Sequence, residues 1–91
     1  MDAIALRNLS DKIEDNQANL EDYFQFEKHL KLGGLNENFI RGYLKKAGFR
    51  GWEDFYEARK KQRTSEVIGA VVVGGLVGMA AAVLIDSMQE N

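Results

Sequence analysis

Residues 67–85 read VIGAVVVGGLVGMAAAVLI, nineteen positions without a charge or a strongly polar side chain. As a helix the run measures ~28 Å, against a hydrocarbon core of ~30 Å. Glu66 and Asp86 bracket it. Length and flanks together predict a single transmembrane helix over about 66–86. The competing reading is a core helix buried in protein. A chain of 91 residues has little other apolar surface with which to cover such a helix on every side.

The run is rich in small residues. Ala70, Gly74, Gly78 and Ala82 recur every fourth position and share one helix face. Gly74 and Gly78 form a GxxxG. Such a face lets a second helix backbone approach closely, so dispersion drives association inside lipid. These four residues are the expected helix–helix interface. Gly and Ala are also common in transmembrane helices generally, so the pattern alone is weak.

Upstream, charge is segregated. Residues 1–27 sum to −5, residues 28–65 to +6 and residues 66–91 to −3, giving the net −2 of the chain. Arg59, Lys60, Lys61 and Arg63 stand just before the apolar run and form the membrane-proximal basic set. By the positive-inside rule they place the N-terminal part on the cytoplasmic side, with residues 87–91 as a short outside tail. The expected layout is therefore a tail-anchored, single-pass membrane protein. The N-terminal stretch MDAIALRNLSDKIED lacks the basic and apolar regions of a signal peptide.

Residues 1–65 read as a helical domain with an acidic arm (1–27) and a basic region (28–65). With no Pro anywhere, only Gly interrupts long helices. Leu6, Leu9, Ile13, Asn16, Leu20, Tyr23, Glu27 and Leu30 fall on alternating three- and four-residue steps, predicting helix over about 2–32. A break near Asn16 is expected, with Asn19 capping a second helix and Gly33-Gly34 ending it. Asn36 caps a helix over 37–47 with the apolar stripe Phe39, Ile40, Tyr43, Leu44 and Ala47. From about Trp52 one long helix is expected to run to 86. Its first half carries Trp52, Phe55, Tyr56 and Arg59 on one face. That face either packs on the preceding helices or lies on the lipid surface. The fold class is all-α.

No catalytic constellation is visible. His29 is the only His and there is no Cys, a poor start for a metal site. Ser10, Ser65 and Ser87 have no base at a recognisable spacing, and Gly33-Gly34 lacks the Lys and Ser/Thr of a phosphate loop. No enzyme activity, metal or cofactor is expected. Arg41, Lys45, Lys46 and Arg50 form a candidate anionic-partner patch: anionic lipid headgroups, the acidic arm of another copy, or plain solvation suit it equally. Nucleic acid is disfavoured.

The expected role is a non-enzymatic structural or assembly subunit, a homo-oligomeric array in a virion membrane layer or a secretion-type apparatus. The alternatives are an accessory single-span subunit of a larger membrane complex and a pore former of the holin or bacteriocin type. Double-Gly leaders of exported bacteriocins carry an apolar residue where Lys31 stands here, which weighs against the last.

Overall fold

The computed structural model describes residues 2–64 and 74–89. It is all-α, with α1 (Ala3–Glu14), α2 (Leu20–Leu32), α3 (Glu37–Lys46), α4 (Trp52–Thr64) and α5 (Gly74–Gln89).

The helix boundaries follow from local chemistry. Asp2 opens α1, its Oδ1 accepting from the backbone N–H groups of Ile4 and Ala5 at 3.0 and 3.1 Å. Asn19 opens α2 with a reciprocal capping box: its side chain accepts from Asp22 N–H at 2.8 Å, and the Asp22 carboxylate accepts from Asn19 N–H at 3.0 Å. Asn36 opens α3, accepting from Asn38 N–H at 2.7 Å.

Three helices end the same way. The left-handed residue is Asn16 after α1 (φ 57°), Gly34 after α2 (φ 103°) and Gly48 after α3 (φ 96°). The next residue in each case returns an N–H to a carbonyl five positions back: Gln17 to Lys12, Leu35 to Leu30 and Phe49 to Leu44, at 2.7, 3.0 and 2.9 Å. This is the Schellman closure, which satisfies carbonyls that a helix end would otherwise orphan. Gly removes the Cβ penalty at two of the positions, and Asn is among the few other residues that tolerate it.

The a/d seam expected over 6–30 is the inner face of an α1–α2 hairpin. Leu6, Ile13, Tyr23, Glu27 and Leu30 are buried, and Leu9 and Leu20 pack against them. The aromatic face of α4 lies on α2, as the first of the two sequence alternatives required. Tyr23 stacks on Trp52 with ring centroids 5.5 Å apart at 18°, and Phe55 meets Tyr23 edge-on at 5.4 Å. Phe26 and Phe49 complete the cluster against Trp52 and Phe55. Ile40 and Leu44 bury α3, but Phe39, expected in its apolar stripe, is 58% exposed.

The long helix expected over 52–86 is two helices. A straight helix would separate Trp52 from Val83 by ~46 Å. Yet Trp52 donates to Glu27 of α2, and Val83 lies against Gly33 at the end of that same helix. Helix α5 packs chiefly on α1 and also reaches α2. Leu76, Met79, Ala80 and Val83, spaced i, i+3, i+4, i+7, are its buried stripe. Two close approaches seat it: Gly75 abuts the ring of Tyr43 on α3, and Gly33 abuts Val83.

The expected transmembrane span is not supported. No helix among the described residues is long and apolar enough to cross a membrane. As described, α5 has 16 residues, ~24 Å at 1.5 Å each. The first part of the apolar run, residues 67–73 with Ala70 among them, lies outside the described residues.

Candidate functional site

The two faces singled out by the sequence are the outer face of α5 and the outer face of α3. Side chains on α5 at 74, 78 and 82 lie about 200° round the helix from 76, 80 and 84. Packing the latter inward therefore turns the small-residue stripe outward. Gly74, Gly78 and Ala82 are all exposed, together with Ala81 and Ile85. A Cβ built on Gly74 or Gly78 would meet nothing within 4 Å.

On α3, Arg41, Lys45 and Lys46 are exposed and share its outer half, with Arg50 in the loop that follows. Arg41 is anchored: its Nη2 donates to Glu27 Oε2 at 3.3 Å. Glu27 is 95% buried, an uncommon place for a carboxylate, and is matched by its partners. It also accepts from the Trp52 indole N–H and lies 3.8 Å from Lys31 Nζ. Arg50 pairs with Asp54 at 3.0 Å, wide open to solvent. That contact holds the Asp54 carboxyl below the usual carboxylate range and raises Arg50. Lys31 likewise lowers Glu37 through a 2.9 Å hydrogen bond. Lys45 and Lys46 have no carboxylate partner among the described residues.

Two clefts flank α3. One, of about 390 Å³, is lined by Phe24, Arg41 and residues 50–54. The other, also about 390 Å³ and mostly apolar, lies between Phe39, Gly42, Tyr43 and Lys46. The structure thus brings Arg41 and Arg50 to one cleft and Lys46 to the other, while Lys45 is exposed and lines neither.

The membrane-proximal basic set does not stay together. Arg59 is 96% buried. Its Nη2 donates to the carbonyl of Ile13, and its own carbonyl accepts from Asn16 Nδ2 at 3.0 Å. Arg59 therefore bolts the end of α1 to α4. It shares a face with Trp52 and Phe55, and that face turned inward. Lys60 lies over the Tyr56 ring at 5.7 Å, and Lys61 is exposed. The side chain of Arg63 lies outside the described residues.

The residues that sequence reasoning missed are Glu27, Phe24 and Phe39. Glu27 stands among the seam positions with no role assigned by periodicity; the signal was Trp52, whose indole N–H needs an acceptor once buried. Phe24 and Phe39 are 44% and 58% exposed; helical periodicity does not flag Phe24, and it assigned Phe39 to the apolar stripe of α3. Among the described residues no group of acidic or His side chains is arranged to hold a metal. No protein-family model, curated protein or solved structure matches this chain.

Proposed function

We propose that this chain is a non-enzymatic assembly subunit that joins other copies through the outer face of α5. The observation that carries this is the division of α5 into two faces. Leu76, Met79, Ala80 and Val83 are consumed by the domain's own core, while Gly74, Gly78 and Ala82 face outward with open space at the two glycines. A smooth, small-residue face admits a partner backbone closely. The exposed neighbours Ala81 and Ile85 extend it with apolar surface. Changing Gly74 and Gly78 to Leu is expected to abolish cross-linking between copies of the full chain; undiminished cross-linking would refute the reading.

The finer form of the proposal keeps residues 67–85 as a membrane anchor. What supports it is the sequence: nineteen uncharged positions, bracketed by Glu66 and Asp86, match a bilayer core in length. Spanning would require α5 to leave α1 and α2, because one stripe cannot face both the domain core and lipid. Alkaline extraction of membranes tests this against a version ending at Ser65. Retention of the full chain alone in the pellet supports the anchor; release of both refutes it and leaves α5 as a packed helix of the domain.

A further inference from the structure

We infer that the outer face of α3 is a docking surface for an anionic membrane surface. The inference stands apart from α5: it needs neither spanning nor self-association, because α3 presents this face while α5 stays in place.

Four cations and two aromatics lie on or beside α3, divided between its two flanks. Lys45 and Lys46 are exposed and have no carboxylate partners among the described residues. Arg41 and Arg50 stand at the edge of one cleft beside Phe24, and Phe39 and Lys46 line the other. Phe24 and Phe39 are among the few large apolar side chains left exposed. This combination fits the interface of a bilayer with negative headgroups. The Phe39 ring, beside Lys46, enters the headgroup boundary while the ammonium groups of Lys45 and Lys46 reach phosphates. The Arg50–Asp54 pair does not oppose this, since Arg50 is largely solvent-exposed and a surface pair contributes little to stability.

Geometry also sets the direction. Tyr43, between Lys46 and Ile40 on α3, abuts Gly75 near the start of α5. The Tyr43 side of α3 therefore adjoins the first turn of α5. Nucleic acid is the rival for a basic face with aromatics. The chain's acidity, pI ≈ 5.3, and the presence of only two unpaired lysines on the face weigh against it.

The test is co-sedimentation of the full chain with vesicles of phosphatidylcholine alone or mixed with phosphatidylserine. The chain should bind the mixed vesicles more tightly, and added salt should remove the difference. Changing Lys45 and Lys46 to Gln should weaken binding to mixed vesicles roughly thirtyfold. Phe39→Ser should weaken it further, while Arg7→Gln on α1 should not. All of these positions are exposed, and unchanged thermal unfolding will confirm that the variants fold. Equal binding to both vesicle types overturns the inference while leaving the anchor reading intact. Mixed-vesicle binding that is indifferent to Lys45 and Lys46 overturns it too. Binding to single-stranded RNA in place of vesicles, lost in the Lys45/Lys46 variant, assigns the face to nucleic acid instead.

Discussion

Helices α4 and α5 both lie on the α1–α2 hairpin, but they are attached by different chemistry. Helix α4 is locked by directional contacts. Trp52 donates to buried Glu27, Arg59 donates to the Ile13 carbonyl, and Asn16 returns a hydrogen bond to Arg59. Four stacked or edge-on aromatic contacts, of Tyr23 and Phe26 with Trp52, Phe55 and Tyr56, fill the space between. Helix α5 is held by an aliphatic stripe and two glycine approaches. Directional contacts fix one register. A smooth apolar seat tolerates replacement by another apolar surface, because hydrophobic burial is non-directional. A helix can thus be part of the core without being committed to it.

The sharpest way to break this comparison is through the aromatic cluster. Phe55→Ala, at a fully buried site, is expected to remove ~3–5 kcal/mol of stability in urea unfolding. A loss below that of Leu76→Ala would reverse the ranking of the two attachments. Glu27→Ala comes next. It leaves the Trp52 N–H buried without its acceptor, at ~1–3 kcal/mol, and frees Arg41; thermal unfolding measures the first effect. An unchanged midpoint would mean that this network does not hold α4.

Smaller and opposite in sign are two glycine changes on α5. Gly75→Ala drives a methyl into the end of the half-buried Tyr43 ring, which must swing aside, and is expected to lose ~1 kcal/mol. Gly78→Ala, with nothing within 4 Å, should be neutral or gain up to ~1 kcal/mol through helix propensity. If the two behave alike, α5 is not seated against α3 as described. The smallest expected effect is acid sensitivity at the surface pairs. Asp54 and Glu37 have folded-state values below their ordinary ones. Their contribution is therefore present above the usual carboxylate range and fades as pH falls through the lowered values. Asp54→Asn should flatten only a slight part of the acid limb of a stability–pH curve.

Much of the architecture was legible in the residues because its signals are local. Asn19, Asn36, Gly34 and Gly48 mark caps and closures whose cause lies within a few positions. The 6–30 seam and the aromatic face of α4 follow from periodicity. The packing of α5 was not legible for a physical reason. A run apolar on all sides gives no preferred face, so length and flanks alone argued for lipid, while the stripe 76, 79, 80, 83 was hidden among equally apolar neighbours. Arg59 was misplaced on similar grounds. Its position before an apolar run suggests topology, and only the three-dimensional neighbourhood of Ile13 reveals a buried clamp. The α3 patch was visible as four cations; the exposure of Phe24 and Phe39 beside it was not.

Trp52 is the only tryptophan in the chain, and it sits at the α2–α4 contact, stacked on Tyr23 with its N–H on a carboxylate. The protein therefore carries a built-in optical probe of one attachment and not the other. Its emission should be that of a sheltered indole and should shift to the red when α4 parts from α2. Displacement of α5 alone, by lipid or by a partner helix, should pass without a colour change. Pairing that silent signal with a label at Ile85 turns the difference between two helices into two separately readable transitions.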